Sequence, residues 1–288
     1  MNLSDAHKNF IDHLKTRSRA TATILAYGKD IEQLVNYLSS LNRIEAGDVA
    51  LEDLQSFMEK LSKQSYTAKS ISRKTNSTKT FFKYLRLEGI IPSDPATGLE
   101  HPKFENKPPR ILSKTEYRAL RDAARADLRI FAVIELLLQT GIRIGELSKV
   151  KVEDISFGEP ATVHVPKEEG TVERTIPLNT PAAEAIKSYL GVRAKTQNHT
   201  LFVTKTGRPL LIRNIRTAID RYFRIAGIKE AKVNDLRHTW VAHHLQAGTS
   251  LVTVSKLAGH KRLTTTERYL QFIQGQPNGN GKVKLEEL

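Results

Sequence analysis

The sequence predicts a mainly α-helical protein with a small β component, organised as two domains. Apolar residues recur at steps of three and four along most of the chain, which is typical of amphipathic helices. Two short β-type segments flank a glycine-containing turn in the second half. A segment with five prolines separates the two helical regions, and 288 residues are enough for each region to bury its own core.

The first hundred residues are predicted to form four helices. TATILAYGKDIEQLVNYLSS and LEDLQSFMEKLSKQ each carry one apolar stripe. The fourth helix, within 67–89, has a packing stripe formed by Ile71, Thr75, Thr78, Phe82 and Leu85. About 200° away lies a basic stripe formed by Lys69, Arg73, Asn76, Lys79, Lys83 and Arg86. Such a stripe could contact a DNA backbone, and a merely solvated face explains it equally well.

The proline-rich segment GIIPSDPATGLEHPKFENKPPRILS predicts an extended linker over 89–112, with the break near Lys107, because proline removes backbone donors and blocks helix formation. Two basic lobes joined in this way could close around a duplex. The resulting division is a helical domain over 1–100, a linker over 101–110, a second domain over 111–273 and a flexible C-terminal tail over 274–288.

The second region begins with a capping box formed by Ser113 and Glu116, followed by the buried helix DLRIFAVIELLLQTG. ATVHVP and TVERTIPL, separated by KEEG, predict a hairpin, and LFVT is a possible further strand. Trp240, His243 and His244 are interpreted as packing or surface residues. Further helices are expected over 181–190, 211–226, 235–247, 250–258 and 264–271.

The chain is strongly basic, with 45 Lys and Arg against 31 Asp and Glu, a net charge of +14. Residues 1–100 hold 14 basic and 12 acidic residues, so 31 basic and 19 acidic residues fall in the remainder, which has a net charge of +12. This excess favours a polyanionic partner such as nucleic acid, although ribosomal or membrane-surface proteins share it.

Other classes of protein and chemistry lack support in the sequence. There is no cysteine, no secretion signal and no apolar run long enough to span a membrane, so we expect a soluble, cytoplasmic, nucleoid-associated protein. Neither a metal-binding motif nor a glycine-rich phosphate loop is present, and no cofactor or metal is expected. Any phosphate chemistry would therefore rely on cationic side chains.

Two arginines are suited to that chemistry. Arg143 follows Gly141 at the end of the buried helix, and Arg237 lies near the start of a later helix. Arginine grips two phosphate oxygens at once, and a pair can stabilise a pentacoordinate transition state. Taken singly, each arginine is better explained as structural. Tyr269, in TERYLQF, is likewise either a packing residue or a nucleophile.

Five motifs in order resolve these alternatives: TGIRIGEL, KEEGTVERTIPL, DLRHTW, LAGHKR and TTTERY. Together they resemble the tyrosine recombinase (phage integrase) family, in particular its Xer-like and mobile-element members. The separation of nine residues between His260 and Tyr269 matches the family pattern, as does Arg143-x-x-Glu146. The resemblance covers nearly the whole chain. Residues 1–100 resemble the family's SAM-like core-binding domain, which binds DNA, and 111–273 resemble its catalytic domain.

The resemblance implies roles for individual residues. Tyr269 would attack a backbone phosphate and become linked to the 3′ phosphate, leaving a free 5′ hydroxyl. Arg143 and Arg237 would clamp the phosphate oxygens. The remaining roles are a hydrogen bond to the phosphate, the orientation of neighbouring groups and protonation of the departing 5′ oxygen, which the resemblance gives to His260, Glu146 and Lys167.

Two positions depart from the family pattern. The hairpin around Lys167 is longer and more acidic than the usual Gly-Lys-Gly turn, although Lys167 is its only lysine. Asn234 stands where the family usually has histidine, sometimes lysine, in contact with the phosphate. Asparagine donates a hydrogen bond but cannot exchange a proton near neutral pH, so cleavage should be slowed rather than abolished. Alternatively, His238 substitutes, although it lies about 100° around the helix from Arg237.

The sequence therefore indicates a site-specific DNA recombinase that acts as a homo-tetramer on two duplexes through a Holliday junction, and as a monomer or dimer without DNA. Chromosome dimer resolution and integration or excision of a mobile element both fit this interpretation. A DNA-binding regulator that has lost its chemistry at Asn234 is an alternative, and so is a type IB topoisomerase-like nicking enzyme. The C-terminal tail is suited to docking on a neighbouring subunit.

Overall fold

The computed structural model describes residues 1–17, 20–103, 108–167 and 171–273. Over these residues the chain is mostly helical and has one small antiparallel sheet, which confirms the predicted fold class. The chain divides into two compact units, Met1–Asn106 and Lys107–Leu288. Each unit has its own hydrophobic core.

The first unit contains the four expected helices, which are α1 (Leu3–Thr16), α2 (Thr21–Ser40), α3 (Leu51–Lys63) and α4 (Ala68–Leu87). Aromatic side chains from α1 and α4 fill the centre of its core. The rings of Phe10 and Phe81 meet edge to face, with their centroids 5.3 Å apart. The predicted packing stripe of α4 is confirmed, because all five of its residues are buried.

A buried ion pair joins α4 to α2. Lys74 and Asp30 are 5% and 3% exposed, and Lys74 Nζ donates to Asp30 Oδ1 over 2.9 Å and to Gln33 Oε1 over 2.6 Å. The same carboxylate accepts hydrogen bonds from Arg73 and Ser77. Satisfying a buried carboxylate with several donors offsets its cost of desolvation.

The predicted extended linker over 89–112 is wrong at both ends. Residues 90–99 pack on the first core, where Ile91, Ala96 and Leu99 are buried and Asp94 caps a short 3-10 helix over Pro95–Gly98. Prolines break the helical periodicity in this stretch, but the apolar side chains between them still bury surface. Leu112 is buried in the second core. Residues 104–107, which include the expected break near Lys107, lie outside the described residues.

The second unit is built around the buried helix α6. Its helices are α5 (Lys114–Ala124), α6 (Leu128–Thr140), α7 (Ile144–Leu147), α8 (Thr180–Val192), α9 (Ile212–Ile225), α10 (Val233–Gln246), α11 (Leu251–Ala258) and α12 (Thr264–Leu270). The capping box of Ser113 and Glu116 is confirmed. Trp240 and His244 are buried, as expected for packing residues, and Trp240 Nε1 donates to the Gln139 carbonyl. No helix within the described ranges is long and apolar enough to cross a membrane.

The sheet has three antiparallel strands in the order β1-β2-β3, namely β1 (Ile155–Ser156), β2 (Thr162–Val165) and β3 (Arg174–Pro177). The predicted hairpin corresponds to β2 and β3, where the buried residues Val163 and Ile176 face each other. Strand β1 was not expected, because two residues carry too little alternation to be recognised. LFVT forms no strand, and Val203 makes only an isolated bridge with Pro209.

Replacing Asp30 by Ala should destabilise the first unit by about 3 kcal/mol, because it leaves the Lys74 ammonium buried without its counter-ion. Hydrogen exchange of the α2 and α4 amides, followed by mass spectrometry in the full chain, should become about 100-fold faster. The matched control is Asp12→Ala, which removes an exposed pair with Lys15 and should change exchange little. Equal effects of both substitutions would contradict this account of Lys74.

Candidate active site

Gly141 determines where Arg143 lies. It ends α6 in the left-handed conformation, with φ 61°, which glycine adopts without strain. The close approach of Trp240 adds a second requirement, since a Cβ at Gly141 would lie 2.7 Å from Trp240 Cδ2. The chain then turns through the buried Ile142, and Arg143 precedes the first residue of α7. This turn directs the Arg143 side chain away from the core.

The carboxylate of Glu146 holds two arginines together. Arg143 Nη1 donates to Glu146 Oε1 over 2.9 Å, and the backbone N–H of Arg143 donates to Oε2 over 2.9 Å. Arg174 approaches the same carboxylate with both terminal nitrogens, at 2.7 and 3.1 Å. Burial would raise the pKa of Glu146, but the hydrogen bonds from Arg174 and Arg143 outweigh it and lower the pKa. Glu146 therefore remains ionised.

Arg174 is a site residue that the sequence interpretation missed. It belongs to β3, and its Nε donates to the Leu257 carbonyl over 2.7 Å, which ties the hairpin to α11. A Cβ at Gly259 would lie only 2.7 Å from Arg174 Nη1, so this glycine is needed for the close approach. One signal was available. Arg174 and the buried Ile176 are two residues apart and so lie on the same face of the strand.

Arg237, on α10, is almost fully buried, with 8% exposure. Its Nη1 donates to the Gly141 carbonyl, and its Nη2 is buried without a hydrogen-bond partner among the described residues. Burial, followed by the charge of Arg143, lowers the pKa of Arg237 to about 9. The guanidinium is still charged at neutral pH. A buried cation with an unused donor favours the binding of an anion.

His260 follows Gly259, which ends α11 in the left-handed conformation, with φ 67°. Its backbone N–H caps α11 through the Ser255 carbonyl, while its side chain faces α12. His260 Nδ1 lies 2.7 Å from Thr266 Oγ1. Burial, followed by the positive charges of Arg237 and Arg143, lowers the pKa of His260 to about 4. The imidazole is therefore neutral at physiological pH.

Tyr269, on α12, packs in the core of the second unit and is 6% exposed. Its hydroxyl nevertheless lies 2.7 Å from His238 Nδ1, and its ring stacks on His260 with the centroids 6.3 Å apart. Burial raises the pKa of Tyr269, against the effect of Arg237 and Arg143. The tyrosine is thus both a packing residue and the neighbour of two histidines.

A cavity of about 430 Å³ joins several of these side chains. Four of the residues singled out from the sequence line it, namely Arg143, Glu146, Asn234 and Arg237. His238 lines it as well, and Val165, Pro166 and Thr171 contribute from the hairpin. Asn234 is exposed, and its side chain makes no hydrogen bond within the described part of the chain. An anion in this cavity would meet the arginines, Asn234 and His238 together.

Lys167 is not brought into contact with this cluster. It is exposed in the short segment 166–167 that follows β2, which we call the β2 arm, and 168–170 lie outside the described residues. The neighbouring Pro166 lines the cavity, which places the backbone of this arm at its edge. A role for Lys167 therefore remains a prediction.

The basic stripe of α4 forms a separate candidate surface on the first unit. Lys69, Lys83 and Arg86 are exposed. Arg73 is also exposed but pairs with the buried Asp30, and Lys79 Nζ donates to the Thr97 carbonyl over 3.3 Å. Three of the five stripe cations named for DNA binding thus point to solvent without a hydrogen bond to the described residues, and two already have partners.

Similarity to known proteins identifies the chain as an enzyme that cleaves and rejoins DNA. Residues 110–274 match the phage integrase family, and residues 8–89 match its N-terminal SAM-like domain. The chain therefore belongs to the phage integrase family, whose members are tyrosine recombinases.

Relatives match over nearly the full length. A tyrosine recombinase of Pseudothermotoga lettingae is 32% identical over 272 residues, which cover 92% of this chain and 93% of that protein. Tyrosine recombinase XerC of Roseiflexus sp. is 31% identical over 280 residues, covering 93% and 89%. Among solved structures, XerA recombinase matches with a TM-score of 0.54 at 26% identity over 93% of each chain. A lambda integrase dimer bound to a COC′ core site matches with a TM-score of 0.78 at 18% identity, covering 99% of this chain and 81% of that one, which shows a common fold.

Replacing Gly141 by Ala should destabilise the second unit by about 3 kcal/mol. Alanine is strained in the left-handed conformation, and its Cβ would also collide with Trp240. Trp240 is the only tryptophan, so its fluorescence reports the unfolding of this region directly. Gly145→Ala is the control, since a Cβ there meets nothing within 4 Å. Similar melting temperatures for the two variants would show that Gly141 is not required for this turn.

Proposed function

We propose that this protein is a site-specific DNA recombinase in which Tyr269 cleaves and rejoins DNA strands through a 3′-phosphotyrosine intermediate. The observation that carries the proposal is the contact of the Tyr269 hydroxyl with His238, which lines one cavity with Arg143 and Arg237. Arg237 Nη2 is a buried donor without a partner among the described residues. A phosphodiester is the anion that this cluster suits, because planar guanidinium groups match pairs of phosphate oxygens.

In the proposed reaction Arg143 and Arg237 bind the non-bridging oxygens of the scissile phosphate. Negative charge on these oxygens grows as the pentacoordinate transition state forms, so fixed cations stabilise it more than the ground state. Glu146 and Arg174 hold Arg143 in place through the ion pairs described above. The arginines need little reorganisation when the phosphate binds, and this lowers the cost of reaching the transition state.

His260 donates a further hydrogen bond to the phosphate in this proposal. If its Nδ1 accepts from the Thr266 hydroxyl, its proton lies on Nε2 and can be donated. A neutral histidine suits this role, because it adds a donor without adding another buried charge beside Arg237. Asn234 lines the cavity and would supply an amide donor to the same phosphate.

Attack by Tyr269 forms a bond from its oxygen to phosphorus and breaks the bond from phosphorus to the 5′ oxygen. Lys167 donates the proton that this leaving oxygen needs, which requires the hairpin arm to bring Lys167 over the cavity. The phosphotyrosine keeps the energy of the phosphodiester, so the 5′ hydroxyl of another strand can reverse the step without ATP.

DNA is the proposed partner of both units. The first unit would bind the duplex through the exposed cations of α4, and the second would bind and cleave it. This assigns DNA binding to 1–100, a linker to 101–110 and catalysis to 111–273. Two paired cleavages through a Holliday junction need four active sites, so we propose a homo-tetramer on two duplexes. Residues 274–288 would dock on a neighbouring subunit.

The first test is covalent capture. Random-sequence duplexes, nicked lightly with DNase I, supply a nick near every cleavage position. The short fragment between the cleavage position and the nick, which carries the 5′ hydroxyl, then dissociates, so the strand cannot be rejoined and the adduct is trapped. The wild-type protein should yield a protein–DNA adduct stable to denaturing detergent, and Tyr269→Phe, which removes only the hydroxyl, should yield none. Sequencing the captured strands would identify the preferred site.

Two other outcomes point to different functions. Sequence-specific retention of duplexes in a gel shift, with no adduct above the Tyr269→Phe level, would overturn the proposed chemistry and favour a DNA-binding regulator. Adducts without sequence preference, accompanied by relaxation of a supercoiled plasmid, would favour a topoisomerase-like nicking activity.

Replacing Asn234 by His should raise the single-turnover rate of adduct formation on the captured duplex about tenfold or more, because it adds a second imidazole, able to bind the phosphate and exchange a proton, to the cavity that His238 already lines. Asn234→Gln is the matched control, since it keeps an amide and should give no gain. An unchanged or lower rate in Asn234→His would show that asparagine does not limit the reaction.

A further inference from the structure

We propose that His238 accepts the proton of the Tyr269 hydroxyl during attack on the phosphate, and is therefore a catalytic residue of this chain. The inference rests on the proposed function of Tyr269 and adds to it the base that activates this nucleophile. Nothing in the resemblance assigns a role to the position after the second arginine.

The geometry that carries the inference is a direct contact. The Tyr269 oxygen and His238 Nδ1 are 2.7 Å apart, within the range in which a hydroxyl donates to an acceptor. The ring centroids are 5.8 Å apart and the rings are inclined by 46°, so this is an approach through the hydroxyl rather than a stacked pair. A phenol has one proton to donate, and in this arrangement Nδ1 is its acceptor when His238 carries its own proton on Nε2.

His238 makes both of the contacts that the proton transfer requires. It contacts the nucleophile, and it also lines the cavity with Arg143 and Arg237, where the phosphate is proposed to bind. Asn234, one turn earlier on α10, lines the cavity too, but its amide cannot take up a proton near neutral pH. The proton transfer can therefore be carried by His238 while Asn234 supplies only a hydrogen bond.

The burial of His238 favours its neutral form. Burial lowers its pKa, Asp235 opposes this and Arg237 adds to it. The other titratable groups that face it or share its cavity are Tyr269 on α12, His260 after α11, and Arg143, Glu146 and Lys149. A neutral imidazole is the form that can accept a proton, so the base is ready at physiological pH.

The step balances with the groups already named. The Tyr269 proton moves to His238 Nδ1 as the oxygen–phosphorus bond forms, and the 5′ oxygen leaves with a proton from Lys167. In rejoining, the attacking 5′ hydroxyl returns its proton to Lys167, and imidazolium His238 returns its proton to the departing tyrosine oxygen. Both residues end in their starting states, so no external acid or base is consumed.

The test uses His238→Asn on the duplex recovered by covalent capture. Asparagine places an oxygen near the position of Nδ1, so the variant keeps an acceptor for the hydroxyl but cannot take the proton. Single-turnover adduct formation should fall about 100-fold or more, with duplex affinity nearly unchanged. The control, His199→Asn, removes an exposed histidine of the same unit and should keep the wild-type rate.

The pH profile separates a base from a residue that only positions the tyrosine. The wild-type rate should rise with pH while His238 loses its proton and level off below its ordinary pKa of 6.5, because burial lowers that pKa. In His238→Asn this limb should disappear and the rate should climb toward the raised pKa of Tyr269. A wild-type rate and profile in His238→Asn would overturn the proposal.

A second substrate identifies which proton His238 handles. A duplex with sulfur in place of the bridging 5′ oxygen has a leaving group that needs no protonation. The deficit of His238→Asn should persist on this duplex, whereas a deficit that vanishes would place His238 at the leaving group and overturn the proposal.

The failure of the inference can be told apart from failure of the proposed function. Loss of the adduct in Tyr269→Phe together with a wild-type rate of adduct formation in His238→Asn rejects only the base, whereas a wild-type protein without adduct rejects the tyrosine chemistry itself. Misfolding is monitored through Trp240 fluorescence, and His238→Gln is the substitute if the asparagine variant melts early. A glutamine variant that folds and reacts at the wild-type rate would reject the base as well.

Discussion

The ion-pair network at Glu146 is the interaction on which the rest of the site depends. Its buried carboxylate binds Arg143 from the α6–α7 turn and Arg174 from β3, so that one anion aligns two separate elements. Arg174 in turn donates a hydrogen bond to the Leu257 carbonyl in the last turn of α11, just before Gly259 and His260. A buried carboxylate without these partners would be costly, and so would two neighbouring guanidinium groups without the carboxylate.

The network has a surplus of positive charge. Glu146 compensates for part of the charge of Arg143 and Arg174. Among the described residues, Arg237 donates to the Gly141 carbonyl and its Nη2 has no hydrogen-bond partner. Burial, followed by this surplus of positive charge, lowers the pKa of Arg237 and of His260. A phosphate would relieve the repulsion, so the proposed ligand also stabilises the site that binds it.

Several elements were predictable because their determinants are local. The stripe of α4, the capping box at Ser113 and the hairpin of β2 and β3 follow from periodicity and turn chemistry within a few residues. The linker prediction failed because Ile91 and Leu99 are buried against a core formed by distant segments of the chain. The proline content of the segment gives no sign of this burial. Strand β1 was missed because its two residues show too little alternation, and only their pairing with β2 defines them as a strand.

The sequence by itself determined the order of the motifs and the residue types suited to phosphate chemistry, and from these Arg143, Arg237, His260 and Tyr269 were predicted as site residues. Only the tertiary structure decided which side chains touch. The contact of His238 with Tyr269 joins two helices whose relative placement no local pattern encodes, and the same holds for Arg174 and Glu146 across 28 residues of chain. Spacing along a helix describes which residues share a face, but contacts between elements depend on how the whole core packs.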